Sequence, residues 1–230
     1  MKSSTFKMAL CAISALALPQ IASASLLVGF HRFDDSTDIQ TVLSGSATNY
    51  AATGFRGDLF KNGANSEADG GSIDGTYGDR DFGALNPASG DGYGRSLNAG
   101  DPVLRITNVT GSSVLLDALL FDAASISTGR TIYVTYQING DGFKDLASGS
   151  LPGTAGSGVY GNFAIDLKSL ITETFGPGDW IEFKFNGVTN GRIDNIALTA
   201  IPEAGNALAC AGLLSGGIFF RSRRRAASRG

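Results

Sequence analysis

Cysteine is nearly absent from this chain. Of two in 230 residues, Cys11 lies near the start and Cys210 near the end. The stretch from Ser25 to Ala200 therefore offers no disulfide, no cysteine nucleophile and no thiolate metal site. Histidine is scarcer still: His31 is the only one, which excludes histidine-rich zinc sites. A Ser-His-Asp triad has to be built on it, yet no G-x-S-x-G elbow is present, and Gly156-Ser157-Gly158 lies in a glycine-rich turn. No internal period of roughly 20 to 50 residues repeats, which argues against a solenoid or propeller.

Charge is also thin, at 17% of residues, and it is unevenly placed. The stretch from Ser25 to Ala200 holds 11 of the 18 Lys+Arg and 20 of the 21 Asp+Glu, a net charge near −9. A surface of that sign is a poor partner for nucleic acid.

What is plentiful is glycine, 32 residues, beside 43% hydrophobic residues. That composition suits an all-β or loop-rich domain. The two ends stand apart from it. Lys2 and Lys7 flank a short polar start, Met8 to Leu18 is apolar, and Ala22-Ser23-Ala24 gives the small-x-small pattern of a signal peptidase site. Residues 1–24 read as a secretion signal cut after Ala24. At the other end Ala207 to Phe220 is apolar or small apart from Ser215, and with Ala204-Gly205-Asn206 in front it reaches about 17 residues, the lower limit of a spanning helix. Arg221, Arg223, Arg224 and Arg225 follow at once and, by the positive-inside rule, stay cytoplasmic while the body is exported.

Pro202-Glu203, this short apolar run and the arginine cluster together resemble the PEP-CTERM sorting signal of Gram-negative bacteria. Ala204 stands where that family usually has a second proline. The resemblance implies processing by signal peptidase and an exosortase-type enzyme that cuts near Pro202-Glu203. It also implies a stay in the inner membrane, then display on the cell surface or release into extracellular polymer.

The body, residues 25–200, is dominated by strand patterns. "TIYVTYQIN" puts Ile132, Val134, Tyr136 and Ile138 on one face and Tyr133, Thr135 and Gln137 on the other. "WIEFKF" sends Ile181, Phe183 and Phe185 inward, and Trp180, Glu182 and Lys184 outward. "SVLLDALLFDA" is apolar on both faces and reads as a central strand buried on both sides. Only Leu167 to Phe175 has a helical pattern. The glycine- and aspartate-rich stretch from Gly63 to Gly100 reads as an ordered rim loop with short strands, anchored by Ile73, Tyr77, Phe82, Leu85 and Tyr93. The expectation is an antiparallel β-sandwich with one short helix. From "SVLLDALLFDA" to "RIDNIALTA" the order resembles jelly-roll domains of the lectin-like and carbohydrate-binding type, over about 90 residues.

No catalytic constellation emerges. Glycoside hydrolysis needs two carboxylates facing one cleft. Glu67, Glu173 and Glu182 form no recognisable pair with the aspartates and read as solvated surface acids. Calcium is the ion the residues suit, because it needs only oxygen ligands on glycine-rich loops. Asp69, Asp74, Asp79 and Asp81 are close enough together for such a site, and Asp34, Asp35 and Asp194 are a second option. A plain acidic loop is the preferred reading of both. Aromatic faces stack on sugar rings, which makes Trp180, Tyr133, Tyr77 and Tyr93 candidate glycan contacts, although Tyr and Trp also simply cover sandwich ends. Asn108-Val109-Thr110 matches a glycosylation acceptor pattern. The sequence thus points to a non-enzymatic, exported structural or adhesive protein, with a carbohydrate-binding module as the alternative and a glycan hydrolase ranked last.

Overall fold

Alternating apolar and polar residues can bury one face of each strand only if two sheets pack together, and the computed structural model shows that arrangement. It describes residues 24–31, 39–42, 49–60, 67–69, 72, 74–87, 95–98, 102–155, 158–168, 171, 174–186 and 191–202, with 39–42, 67–69, 95–98 and 202 in backbone only. The strands are β1 (Ser25–Phe30), β2 (Ile39–Val42), β3 (Tyr50–Ala51), β4 (Phe55–Phe60), β5 (Glu67–Asp69), β6 (Arg95–Asn98) and β7 (Val103–Asn108). Then come β8 (Val114–Ser125), β9 (Arg130–Ile138), β10 (Lys144–Leu151), β11 (Gly161–Asp166), β12 (Trp180–Asn186) and β13 (Gly191–Pro202).

A seven-stranded sheet runs β11-β8-β13-β1-β3, with β6 also on β13 and β5 on β6. A six-stranded sheet runs β10-β9-β12-β7-β4-β2. Every pairing is antiparallel, and the first strand lies against the last. The described residues form an all-β, two-sheet sandwich. Between the sheets lie Phe30, Leu59, Leu104, Ile106, Leu119, Phe121, Ile181, Phe183, Phe185, Ile193, Ile196 and Leu198, all fully buried. Each such side chain contributes about 1.5–3 kcal/mol by leaving water.

The inward and outward sets on β9 and β12 follow the alternation in the sequence. The helix expected over Leu167–Phe175 is not found among the described residues there. The Ile171 N–H donates to the Leu167 carbonyl at 2.8 Å, a single turn, and Phe175 then pairs with Val114 as a β-bridge. Residues 169–170 and 172–173 lie outside the described residues. Among the described residues the helical element is a 3-10 turn, Gly83–Leu85. No helix among the described residues is long and apolar enough to cross a membrane. Residues 1–23 and 203–230, which carry the expected signal peptide and sorting helix, lie outside the described residues.

A second departure concerns the glycine-rich stretch. Residues 74–87 lie across the outer face of the seven-stranded sheet, not on a rim. Tyr77 is fully buried there among Leu26, Ala118, Leu120 and Ala197. Gly29 makes room for it, since a Cβ at that position would overlap the Tyr77 phenol. This cover is why β8 is apolar on both faces: one side meets the core and the other meets Tyr77.

Candidate functional site

Burying the outer face of the seven-stranded sheet carries polar groups with it, and each is matched. Asp117 accepts from Arg80, from Lys168 at 2.7 Å and from the Thr199 hydroxyl at 3.0 Å. Burial pushes its carboxyl up, but those hydrogen bonds outweigh burial and hold it below the usual carboxylate range. Asp122 and Asp194 lie opposite each other on β8 and β13. Asp122 accepts from the Gly78 N–H at 3.1 Å and the Asn195 side-chain amide at 2.7 Å, and Asp194 accepts from the Ser72 N–H at 2.6 Å. Burial, then the Asp74 charge, raises the Asp122 carboxyl to about 8. These contacts fasten a loop to a sheet.

The other sheet has the accessible face. A row of outward residues runs in register across four strands: Asp58 on β4, Arg105 on β7, Glu182 on β12 and Gln137 on β9. Arg105 Nε donates to Glu182 Oε1 at 2.7 Å, and the Gln137 amide donates to Glu182 Oε2. The Arg105 guanidinium lies 4.6 Å from the Trp180 ring centroid and 5.4 Å from that of Phe60. Asp58 is held by Arg56 at 2.9 Å. Four residues along β9 from Gln137, Tyr133 is 53% exposed, directly across from Asn186 on β12. The Asn186 amide donates to the Thr135 hydroxyl at 3.2 Å. The face thus combines an open aromatic ring, an amide, a hydroxyl and a rigid arginine.

The sequence candidates fall as follows. Tyr133 is outward and open. Trp180 is outward but half-buried, and Arg105 covers one of its faces. Tyr77 is not a surface contact at all: it is buried, with its hydroxyl 3.0 Å from His31 Nδ1. Its burial pushes that hydroxyl well above the ordinary tyrosine value. Tyr93 lies outside the described residues. Glu182 is not a solvated acid, because it is only 6% exposed and both oxygens accept hydrogen bonds. Glu173 lies outside the described residues, and Glu67 is described in backbone only.

For calcium, Asp74 accepts from the Thr76 N–H at 3.0 Å, and Asp81 from the Gly83 N–H at 2.7 Å and the Asn86 amide at 2.6 Å. Those two donors hold the Asp81 carboxyl below its usual range. Both aspartates therefore brace their own turns. Asp79 is exposed, and Asp69 is described in backbone only. Among the described residues no three His, Cys, Asp or Glu side chains group as a metal site. Asp34 and Asp35 lie outside the described residues, so the second calcium option reduces to Asp194, which pairs with Asp122 in the β8–β13 register. Asn108 is no glycosylation acceptor here: it is buried, and its amide donates to the Phe175 and Ser112 carbonyls at 2.9 and 3.0 Å. Ala24 precedes β1, and Pro202 is the last residue of β13. Ala22, Glu203, Arg221, Arg223, Arg224 and Arg225 lie outside the described residues.

Sequence reasoning missed Arg105 and its row. The signal was available: Arg105 and Glu182 occupy outward positions of two strands, but only the β7–β12 pairing shows that they meet.

No family model matches the chain, and no curated protein does. Among solved structures, an exo-β-1,3-galactanase from Phanerochaete chrysosporium, with galactose, matches 66% of this chain at 14% identity and a TM-score of 0.34. This chain spans 30% of the galactanase. A family 35 carbohydrate-binding module from an environmental isolate matches 61% of this chain and 90% of its own, at 13% identity and a TM-score of 0.30. A module of the same family from Cellvibrio japonicus matches 62% of this chain and 91% of its own, at 19% identity and a TM-score of 0.30. At such TM-scores the likenesses bear on neither fold nor ligand.

Proposed function

We propose that the body of this protein is a non-catalytic glycan-binding sandwich, exported and held at the cell surface or in the extracellular matrix. The observation that carries the binding role is Tyr133, an open ring on an outward strand face with the Asn186 amide and Thr135 hydroxyl beside it. Sugar rings stack on such a face while neighbouring polar groups fix their orientation. Two carboxylates of the face, Asp58 and Glu182, do not suit bond cleavage, because Asp58 is tied to Arg56 and Glu182 to Arg105 and Gln137. Export rests on the sequence of the two ends: a leader cut after Ala24, and a tail in which Pro202-Glu203, the apolar run and Arg221 to Arg225 form a sorting signal for an exosortase-type enzyme.

The test is a glycan array with the mature protein and its Tyr133→Ala variant. Retention of defined polysaccharides, lost in the variant while its melting temperature is unchanged, is the expected result. Silence across the array would replace binding with a purely structural role.

A further inference from the structure

Three loops gather where β13 ends. Pro202, its last residue, pairs with Val114 at the start of β8, and Val114 is bridged to Phe175. The Asn108 side chain donates to the Phe175 and Ser112 carbonyls, and its backbone carbonyl accepts from the Gly178 N–H at 2.7 Å. Asn139 donates its side-chain amide to Asp179 at 2.7 Å and its backbone N–H to the Trp180 carbonyl at 3.0 Å. Residues 109–113, 139–143 and 176–179 therefore share one end of the sandwich with Pro202. Two large apolar side chains stand out from it: Val109 is 62% exposed and Phe143 46%. Charge in these loops is confined to Asp141, which is paired with Lys144, and Asp179, which accepts from Asn139 and the Gly176 N–H.

Exposure alone does not single out this end, because Ile126 and Val159 are 53% and 54% exposed at the other. The sequence that follows Pro202 does. Only Glu203 stands between Pro202 and the run from Ala204 to Phe220. Crossing a hydrocarbon core takes at least about 17 residues, so none of that run is spare to act as a spacer. Two residue steps reach at most about 7 Å. That is the depth of one headgroup layer, about 5–8 Å. The tether also leaves from the middle of the end, since β13 lies between β8 and β1 in its sheet. Given the spanning tail proposed above, we infer that this end of the sandwich docks on the lipid surface from which the tail emerges, with Val109 and Phe143 entering the headgroup boundary. The step Phe143-Lys144 suits that boundary, where an aromatic ring enters the apolar margin while an ammonium stays among phosphates.

The test uses residues 25–230 reconstituted into vesicles of phosphatidylethanolamine and phosphatidylglycerol. Single cysteines for a fluorescent label are placed by Val109→Cys, Phe143→Cys and Ile126→Cys, each made with Cys210→Ser. Ile126 follows Ser125, which pairs with Gly191 at the far end of β13, roughly 35 Å along the strand from Pro202. All three sites are exposed, so the label itself should leave the fold intact. Flotation of the vesicles on a density gradient reads the tail, and quenching by a lipid that carries a nitroxide near its headgroup reads the docking. The expected result is co-flotation, with loss of fluorescence at positions 109 and 143 and none at 126. Protein left at the bottom of the gradient would remove the spanning tail, and this inference with it. Co-flotation with quenching equal at the three positions, or strongest at 126, would overturn the docking alone and leave the tail standing.

Discussion

Asp122 and Asp194 face each other across β8 and β13 with 0% and 1% of their surface exposed. Like charges directly opposite on neighbouring strands repel, and burial sharpens the repulsion. The pair is tolerated because Asp122 keeps a proton up to about pH 8. Asp194 and the loop residue Asp74 face it, and both raise it; Asn195 and Ser72 donate to it.

The sign of the pH effect follows. The Asp122 carboxyl is raised above its unfolded value near 4, so the folded state holds the extra proton between those limits. Stability therefore falls as pH rises from about 4 to about 8, by up to about 1.4 kcal/mol per unit. Asp117 works the other way: its depressed carboxyl stabilises above about pH 4, and that contribution is lost as pH falls through the folded value. Urea midpoints should thus peak in the weakly acidic range, and Asp122→Asn should flatten the decline towards pH 8. A wild-type midpoint equal at pH 5 and pH 8 would contradict this.

Gly29 and Tyr77 form a lock between β1 and the covering loop. Gly29→Ala forces the phenol out of its bed and should cost about 1–3 kcal/mol by overpacking. In the double variant with Tyr77→Ala the two costs should not add, because the clash is gone. A double-mutant cycle with zero coupling would show that the loop is not seated on Gly29.

On the six-stranded sheet, removing the half-exposed arginine that partners a buried carboxylate should hurt more than softening the pair. Arg105→Ala leaves the Glu182 carboxylate without its cation and the Trp180 and Phe60 rings without their bridge, a loss of about 1–2 kcal/mol, since the half-exposed guanidinium is partly screened by water. Glu182→Gln keeps the hydrogen-bonding shape and should cost less. Tyr133→Ala, on an exposed ring, should stay within about 0.5 kcal/mol of the parent. Chemical denaturation of the three variants ranks them, and an equal loss in all three would remove the distinction between brace and binding face.

The alternation of β9 and β12 and the double-sided burial of β8 were legible because strand periodicity reports burial directly. The covering loop was not. Its anchors, Tyr77 and Phe82, are spaced irregularly among glycines, and nothing local reveals that they meet Leu26, Ala118 and Leu120. The same limit hid the Arg105–Glu182 contact, whose partners are 77 residues apart. The helical pattern over Leu167–Phe175 misled, since Leu167, Ile171 and Phe175 recur at helical spacing yet all three serve the sandwich core. An apolar period of three or four residues does not distinguish a helix from a connection that dips repeatedly into the core.

The end of β13 sets where the chain can be cut without unravelling the body. The strand stays paired to its last residues, with Ile201 opposite Leu115 and Pro202 opposite Val114. It lies between β8 and β1, so it is central to its sheet. A product ending at Pro202 or Glu203 keeps the whole ladder. Ending at Ile196 would remove Ala197, Leu198 and Ala200 from buried positions and strip Asp117 of the Thr199 hydroxyl. Each lost large side chain costs about 2–5 kcal/mol, enough to unfold a domain of ordinary stability. The mass of the mature protein from envelope and medium fractions should therefore correspond to a C-terminus near Pro202-Glu203, and replacing Arg221, Arg223, Arg224 and Arg225 by alanine should abolish that species. Chains ending at Pro202 should melt like the mature protein, whereas chains ending at Ile196 should not fold. A stable product cut inside β13, or an uncut tail in the envelope, would refute cleavage at this junction.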